Sequence, residues 1–391
     1  MILVGIDVSK DKHDCFIRDS FGEVFFKPFT ISNIMQGFDE LFEKISSVCS
    51  DFDNIKVGLE ATGHYSYNIL GYLLDKGLPT YVINPLHTNL FRKGQSLRKT
   101  KTDKFDCSTI ASMLMSDVEL KSYSQTLYHN EELKSLTRYR FDKVKQRARL
   151  KQSISRLVTI LFPELEKLVS TLHISAVYAL LSEFPSAKAV ASANLTKLTN
   201  LLEKSSKGKF SKNTAILFRD AARNSIGSNF TSKSLELKHT IKSIAELDAQ
   251  IEEIEAEISV IMKEINSPIT SIPGIGLAMG AQILAEIGDF ENFDSPDKIL
   301  AYAGLSPSTY QSGKLYSTHA KMEKRGSRYL RYALFNATKF VCNWDPIFSE
   351  YLSKKRAKGK HYNVAISHAA KKLVRVIYHL EKSGKTYTKQ T

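Results

Sequence analysis

The sequence predicts an α/β domain at the N-terminus and an all-α remainder. Three observations lead to this fold class. Residues 2–7 are an apolar run of strand type, strand and helix patterns then alternate to about residue 117, and later hydrophobic residues recur at helical spacing. We expect three regions: an α/β domain over 1–125, a helical and coiled-coil region over 126–265, and a C-terminal helical domain over 266–391.

The N-terminal elements can be predicted in order. A turn at Ser20-Phe21-Gly22 joins two of the strands. Phe38, Leu41, Phe42 and Ile45 recur at helical spacing and predict a helix. The predicted elements are strands at 2–7, about 14–19 and 23–31, a helix at 33–48, a strand at 55–60, a helix at 64–76 and a strand at 80–84. Three strands followed by alternating helix and strand is the order of an RNase H-like domain.

Four carboxylates carry the chemistry in this region. Asp7 and Glu60 each follow an apolar strand, and Asp103 and Asp106 lie three residues apart in a helical stretch through Met115. Residues with that spacing share a helix face. Each acid alone is better explained as a turn residue, a helix cap or a partner of the helix dipole. Together they predict a site of hard oxygen ligands for Mg²⁺ or Mn²⁺, the chemistry of phosphoryl transfer.

The charge favours a polyanionic partner. The chain carries a formal net charge of +14 over 391 residues, which suits nucleic acid. One basic stretch runs over 134–156 and includes Arg138, Arg140 and Arg147; a second covers the C-terminus, where acids are few. The alternative is a solvated helix face. An anionic membrane fits less well, because neither stretch has a sustained apolar face.

Other classes of protein are disfavoured. The four cysteines form no C-x-x-C pair or zinc-type cluster, and the ten histidines have no ligand spacing. We therefore expect reduced thiols and a cytoplasmic, nucleoid-associated protein. No run of about 18 apolar residues occurs, and the first residues enter a strand with no room for a signal peptide.

A heptad pattern marks the middle of the chain. Apolar residues alternate at spacings of three and four and predict a coiled-coil seam at Ile244, Leu247, Ile251, Ile254, Ile258, Ile261 and Ile265. Its partner is either the predicted helix 130–161 of the same chain or the same helix of another subunit. The composition of residues 205–214 predicts a polar loop between shorter helices.

The glycines of Pro273-Gly274-Ile275-Gly276 lie between two helical patterns. Glycine lets backbone N–H groups approach a phosphate closely. Gly274 and Gly276 therefore predict a helix-hairpin-helix that holds the DNA backbone, and a plain helix-helix turn is the alternative.

At this point the chain resembles a known family, the DEDD transposases of bacterial insertion sequences (the one-ten family). Its N-terminal domain is similar to the RuvC Holliday-junction resolvase. The segments that carry the resemblance are Gly5–Lys10, Glu60–Tyr65, Lys101–Asp106, Ile272–Gly276, Tyr302–Pro307, Gln311–Gly313 and Gly326–Arg331. They cover about 1–120 and 265–340 in the family's order, whereas 170–230 match nothing nameable.

The resemblance implies specific roles. Asp7, Glu60, Asp103 and Asp106 would bind Mg²⁺ or Mn²⁺, and Ser312 would be the nucleophile that forms a phosphoserine ester with DNA. Ser9 is the rival serine, although a turn residue beside Asp7 is the simpler explanation. Expected nucleic-acid contacts in the C-terminal domain are Gly313, Lys321, Arg325, Arg328 and Arg331. The family further implies target and donor DNA, a structured noncoding guide (bridge) RNA, and a homodimer or homotetramer with a composite active site.

Two other functions remain open from the sequence. One is a structure-specific DNA endonuclease of the junction-resolvase type, in which water attacks the phosphodiester. The other is a non-catalytic nucleic-acid-binding protein, which the presence of all four acids disfavours.

Overall fold

The contacts of this computed structural model divide the chain into two compact units, residues 1–131 and 132–391. It describes residues 1–60, 63–83, 85–95, 103–115, 125–306, 311–312, 315–316 and 322–388. Within these ranges, only the backbone is described at 86, 92–93, 95, 103–105, 125–130, 311–312 and 315–316. In this part of the chain, no helix is both long and apolar enough to cross a membrane.

The first unit is built on a five-stranded sheet of order β3-β2-β1-β4-β5. The strands are β1 (Ile2–Val8), β2 (Lys12–Asp19), β3 (Val24–Ser32), β4 (Ile55–Glu60) and β5 (Thr80–Ile83). β1 pairs antiparallel with β2 and parallel with β4. Its run of apolar residues is buried on both faces, which is typical of a central strand. The sheet agrees with the predicted strands and is consistent with an RNase H-like domain.

Helices cover both faces of this sheet. The helices are α1 (Met35–Val48), α2 (Tyr67–Asp75), α3 (Pro85–Gln95) and α4 (Asp103–Met113), with 3₁₀ turns at Phe52–Asn54 and Gly63–Ser66. Ile2, Val4 and Ile6 pack in one cluster with α1 and α2. Leu3 points the other way and packs with α4, because successive side chains of a strand face opposite sides.

The second unit is mostly helical, and α5 (Gln125–Leu161) enters it from the first. Its helices are α6 (Leu165–Leu168), α7 (Ser175–Glu183), α8 (Ala187–Ala191), α9 (Leu195–Ser206), α10 (Lys212–Arg223), α11 (Thr231–Ile265), α12 (Leu277–Ile287), α13 (Pro296–Tyr302), α14 (Arg328–Trp344), α15 (Pro346–Ala357) and α16 (Tyr362–Ser383). Two short strands, β6 (Gln311–Ser312) and β7 (Leu315–Tyr316), pair antiparallel, and 3₁₀ turns occur at Pro268–Ser271 and Phe290–Asn292.

The long helices α5 and α11 form an antiparallel hairpin. Ion pairs join Arg140 to Glu255 with an N–O distance of 2.5 Å, Arg147 to Asp248 at 2.5 Å and Arg156 to Glu236 at 2.7 Å. The predicted seam residues are buried within this single chain from Ile244 to Ile258, and Ile265 is exposed. The intrachain partner predicted for the seam is therefore present, whereas a role in dimerisation stays a prediction.

Two separate hydrophobic cores adjoin the hairpin. One contains the far ends of α5 and α11 together with α6–α10, and includes Leu157, Phe162 and Phe218. The other contains the opposite end of α11 with α12, α13, α14 and α16, and includes Ile258 and Leu373. Leu247 and Ile251, near the middle of α11, are buried but belong to neither core.

Two predicted local features differ in the structure. The polar loop predicted at 205–214 is shorter, because α9 continues to Ser206 and α10 begins at Lys212. Thr214 Oγ1 accepts a hydrogen bond of 3.4 Å from the backbone N–H of Ser211 at that start. The Gly274 turn is preceded by the four-residue 3₁₀ turn rather than by an α-helix. A helix-hairpin-helix is therefore not formed in its usual shape by the described residues here.

Candidate active site

Two of the four predicted acids lie side by side at one edge of the sheet. Ile6 of β1 pairs in parallel register with Leu59 of β4, so the next residues along the two strands, Asp7 and Glu60, are neighbours. Both side chains are half-buried. The carboxyl ends of parallel strands are where open α/β sheets place their ligand sites. The strand register therefore brings these two carboxylates together.

A pair of glycines lets α4 lie directly on these strands. Gly5 and Gly58 are paired in register two residues before Asp7 and Glu60. A Cβ at Gly5 would be 2.0 Å from the carbonyl oxygen of Cys107, and a Cβ at Gly58 would be 2.9 Å from a methyl of Ile110. Strand side chains alternate, so the two acids share the α4 face of the sheet with the glycines.

The third and fourth acids belong to α4. Asp103 is the first residue of the helix, and Asp106 lies in its first turn with 7% of its surface exposed. Helix and sheet approach closely beside Asp106, because its neighbour Cys107 is the residue that contacts Gly5. The backbone thus brings Asp106 to the same face as Asp7, while the side chain of Asp103 lies outside the described atoms.

A fifth acid, Asp14, was not predicted from the sequence. It lies on β2 directly opposite Asp7, is 6% exposed, and accepts a 2.5 Å hydrogen bond from Thr30 Oγ1. Burial, followed by the charge of Asp14, raises the pKa of the Cys107 thiol to about 12, and Asp7 adds to this effect. The signal available in the sequence was weak, because Asp14 is one of several charged residues of β2, with Lys12, Arg18 and Asp19.

The donor chemistry of this face suits a hard divalent cation. Asp7 and Asp14 lie directly opposite each other on neighbouring strands. Like charges in that arrangement destabilise a sheet, and a bound cation would offset their repulsion. Carboxylate oxygens are the ligands preferred by Mg²⁺ and Mn²⁺. Among the side chains that the structure describes, no three of His, Cys, Asp or Glu are arranged to hold a metal ion.

The two candidate serines occupy different settings. Ser312 lies in β6 and pairs with Leu315 of β7, so it belongs to a two-stranded ribbon. The two residues between these strands, Gly313 and Lys314, are outside the described residues. Ser9 donates its hydroxyl hydrogen bond to the carbonyl of Lys12. That contact is typical of a turn residue.

The three arginines predicted from the first basic stretch all have acidic partners. Arg138 donates to Glu286 through Nε at 2.6 Å and Nη2 at 3.1 Å, and its partner is almost completely buried. Arg140 and Arg147 pair with acids of α11, as described above. Their guanidinium groups therefore stabilise the second unit, and contact of these arginines with nucleic acid stays a prediction.

The arginines predicted in the C-terminal domain differ from one another. Arg325 and Arg328 are exposed, and Arg328 Nη2 donates to the hydroxyl of Tyr329 at 2.7 Å. Arg331 is half-buried and donates from Nη1 to the carbonyls of Ala303 at 3.0 Å and Lys324 at 3.1 Å. Lys321 lies outside the described residues. Exposed guanidinium groups are available to phosphates, whereas that of Arg331 is engaged by backbone.

The two glycines predicted to approach a phosphate serve distinct structural needs. Gly274 has φ of +91°, and a Cβ there would be 2.7 Å from the backbone of Phe340, so this turn packs on α14. Gly276 is the N-cap of α12, and a Cβ there would meet open space. Of the two, only Gly276 has room beside it for a ligand, and binding there stays a prediction.

Comparison with known families gives two matching family models. A family model described as "Transposase", of the DEDD IS110 type, matches residues 4–163 and so includes all four predicted acids. A second model, "Transposase IS116/IS110/IS902 family", matches residues 266–353 and so includes Ser312. The two matches occur in chain order and leave 164–265 between them.

Relatives match along nearly the whole chain. The pilin gene-inverting protein of Moraxella bovis is 24% identical over 391 residues, covering 99% of this chain and 98% of the relative. The 44.8 kDa protein of insertion element IS116 of Streptomyces clavuligerus is 23% identical, covering 99% and 96%. The 42 kDa protein of IS900 of Mycobacterium paratuberculosis is 23% identical, covering 99% and 97%. The chain therefore belongs to the IS110 family of transposases, which are enzymes that act on DNA.

Proposed function

We propose that this transposase cleaves and exchanges DNA strands through a covalent serine–DNA intermediate, with a divalent metal at the acidic face of the sheet. The observation that carries the proposal is the pairing of Asp7 with Glu60 beneath α4, where Asp106 lies beside the closest helix–sheet contact. These three residues are carboxylic acids, and carboxylate oxygens are the ligands that Mg²⁺ and Mn²⁺ prefer. A site built from such acids favours metal-assisted phosphoryl transfer.

Asp7, Glu60, Asp103 and Asp106 are the residues that would hold Mg²⁺ or Mn²⁺. When bound, such ions activate the attacking oxygen and stabilise charge on the leaving oxygen of a phosphodiester. The protein's own contribution is to fix the carboxylates, and the buried contact between Gly5 and Cys107 does so by holding α4 on β1. Asp14, packed opposite Asp7, adds negative charge to the same face.

Ser312 is the proposed nucleophile. Its hydroxyl oxygen would lose its proton and form a bond to phosphorus while the bond from phosphorus to the deoxyribose oxygen breaks, and that leaving oxygen would take up a proton. The ester conserves the energy of the phosphodiester, so that a hydroxyl of another strand can displace the serine without ATP. Water in place of serine would only hydrolyse the strand, as in a junction-resolving endonuclease.

Nucleic acid would bind the C-terminal helices α15 and α16. Lys355, Lys360 and Lys371 lie close enough to His368 that, after burial, their positive charges lower the pKa of that imidazole. Three positive charges around one imidazole attract an anion, and the phosphate backbone supplies such anions. We include in the proposal a structured guide RNA of the element as well as target and donor DNA.

A composite active site would bring the acids of one subunit to the serine of another in a homodimer or homotetramer. The two groups of residues lie in different compact units of the chain, 1–131 and 132–391, which supports an arrangement that assembles on binding nucleic acid. Subunit mixing tests this directly: a Glu60→Gln protein and a Ser312→Ala protein, each inactive alone, should together recover cleavage.

The deciding experiment for the nucleophile is a search for a covalent protein–DNA adduct. Purified protein with its co-purified RNA, Mg²⁺ and labelled donor DNA should give an SDS-resistant adduct, and Ser312→Ala should give none while binding DNA normally. Ser9→Ala is the matched control and should still form the adduct. An adduct that persists in Ser312→Ala but vanishes in Ser9→Ala would transfer the role to Ser9. Strand cleavage with no adduct in the wild type would instead establish hydrolysis by water.

A further inference from the structure

The two ends of the segment that carries Ser312 are hydrogen-bonded to each other. The outgoing end follows α13 at Ala303–Ser306, and the returning end is Met322–Ser327, just before α14. Two backbone hydrogen bonds join these ends: the N–H of Glu323 donates to the carbonyl of Ser306 at 3.2 Å, and that of Ser327 donates to the carbonyl of Tyr302 at 2.9 Å. We call the described residues 302–306 and 322–327 the stem.

One glycine on each side allows the two ends of the stem to approach. Gly304 has φ of +65°, and a Cβ there would be 2.3 Å from the carbonyl oxygen of Arg325. Gly326 has φ of +101°, and a Cβ there would be 2.0 Å from the carbonyl oxygen of Tyr302. Both positions combine a left-handed backbone with no room for a side chain, so the close crossing depends on both glycines.

The guanidinium of Arg331 closes this crossing. Its Nη1 donates to Ala303 on the outgoing side and to Lys324 on the returning side, at 3.0 and 3.1 Å. The same nitrogen is 2.6 Å from the Cβ position at Gly304, which only a glycine leaves vacant. A single side chain of α14 thus joins the two halves of the stem through their backbone carbonyls.

The base of the stem is itself fixed to the core. Ser327 caps α14 by accepting from the N–H of Leu330, and its hydroxyl donates to Glu286 Oε2 at 2.5 Å. Glu286 is 1% exposed and also receives both donors of Arg138 from α5. Since a buried carboxylate with three donors is held firmly, the returning end of the stem has a rigid anchor on α12 and α5.

We propose that Arg331 is a positioning residue for strand transfer, which acts by closing the stem beneath the ribbon of Ser312 and not by binding phosphate. This inference rests on the proposed role of Ser312 as the nucleophile. The closed stem fixes both ends of the segment that carries β6 and β7. Opening of the stem would free those ends, and we expect Ser312 then to be placed less precisely for attack. Displacement of a reacting group by about 1 Å costs up to about a hundredfold in rate.

The test compares Arg331→Lys with Arg223→Lys, a control on α10 whose exposed guanidinium pairs with Asp220. Both substitutions keep a positive charge, but lysine is a single point donor on a flexible stem and does not reproduce the placement of the guanidinium. Arg331→Lys should slow adduct formation at saturating DNA by between about ten- and a hundredfold, with unchanged DNA affinity. Arg223→Lys, outside the stem and outside the expected nucleic-acid contacts, should alter the rate by less than about twofold. Equal rates in the wild type and Arg331→Lys would overturn the proposal.

A charge-removing variant separates the stem from a phosphate contact. Arg331→Gln should leave the salt dependence of DNA binding unchanged, because the arginine is engaged by backbone carbonyls. A phosphate contact would reduce the log–log slope by about one, and that result would contradict the proposal. Gly304→Ala disturbs the same crossing without altering any charge, and it should reproduce the loss of rate at unchanged affinity.

Amide hydrogen exchange provides a readout that does not need an active nucleophile. Peptides covering 311–316 should exchange faster in Arg331→Lys than in the wild type or Arg223→Lys. If the wild type forms no adduct, the proposed role of Ser312 fails, and exchange still decides whether Arg331 closes the stem. If the adduct forms and exchange is the same in all three proteins, the stem proposal fails on its own.

Discussion

Gly5 and Gly58 face each other across the parallel strands β1 and β4, and helix α4 rests on both. The contact at Gly5 is with the helix backbone at Cys107, whereas the contact at Gly58 is with the methyl groups of Ile110 and Leu114. Helix and sheet approach this closely only because neither position carries a side chain. The distance between Asp106 on the helix and Asp7 on the strand is therefore set by these two glycines.

Substitution of the two glycines should have unequal effects. Gly5→Ala forces a backbone oxygen to move and should cost about 3 kcal/mol of unfolding free energy, near the upper end for overpacking. Gly58→Ala displaces only the ends of flexible side chains and should cost about 1 kcal/mol. Urea denaturation of the two variants measures both values. A larger loss for Gly58→Ala than for Gly5→Ala would contradict the packing described here.

Removal of one ligand charge should separate catalysis from binding. Glu60→Gln and Asp106→Asn keep shape but remove a charged ligand, so Mg²⁺-dependent cleavage should fall by about a hundredfold or more while DNA and RNA affinities persist. Glu40→Gln is the matched control, since Glu40 pairs with Lys44 on the surface of α1. Gel-based cleavage assays at several Mg²⁺ concentrations measure the effect. Cleavage close to wild type in either variant would remove that residue from the site.

Asp14 should matter through its position opposite Asp7. Asp14→Asn removes the like-charge contact across β1 and β2 but keeps an acceptor for Thr30. We expect weaker metal binding, seen as a severalfold higher Mg²⁺ concentration for half-maximal cleavage. The variant should be at least as stable as the wild type. Titration of cleavage against Mg²⁺, with a thermal melt in the absence of metal, tests both parts. An unchanged Mg²⁺ requirement would show that Asp14 is only structural.

Neutralising the lysines near His368 should flatten the salt dependence of nucleic-acid binding. Combined Lys355→Gln, Lys360→Gln and Lys371→Gln should lower the log–log slope by about one unit for each phosphate that the variant no longer binds. A control with the same change of charge replaces Lys204, Lys207 and Lys209, which lie around the end of α9. Fluorescence anisotropy over a range of KCl concentrations gives both slopes. Equal slopes in both triple variants would show that the charge near His368 is solvated surface.

Substitution is preferable to truncation for that test. The basic C-terminus includes α16, whose apolar face is buried in the C-terminal core at Ile366, Leu373 and Ile377. Tyr387, beyond this helix, donates its hydroxyl to Asp345 at 2.8 Å. Removal of residues after 354 would therefore expose the core as well as remove charge, so weaker binding would have two explanations.

The sequence was sufficient to predict the sheet and the positions of the acids along it. β1 and β4 are short apolar runs that each end near an acid, and strand-end placement follows from that local pattern. Asp14 was missed because its importance depends on the register between β1 and β2, which the turn at 9–11 sets and local pattern does not. Local pattern did not single it out, because β2 also carries Lys12, Arg18 and Asp19.

Long-range ion pairing explains why the sequence predicted a different role for the arginines of α5. The arginines of α5 looked unopposed in sequence, because their acidic partners are more than 100 residues away, 148 in the case of Arg138 and Glu286. Such pairs are not visible in a local window of sequence. The difference before Gly274 is local instead: α11 ends at the left-handed Asn266, and the 3₁₀ turn Pro268–Ser271 follows it.

The hairpin of α5 and α11 has a consequence for how such proteins vary. Leu247 and Ile251, in the middle of the hairpin, are buried but belong to neither core. The paired helices α5 and α11 therefore connect the two cores. Equal insertions or deletions of seven residues in both arms would preserve the facing seam while changing the separation of the cores. The family models leave 164–265 unmatched. This interval contains the short helices α6–α10 and the long helix α11. We therefore expect the length of the α5–α11 hairpin to vary among relatives more readily than the two cores that it connects.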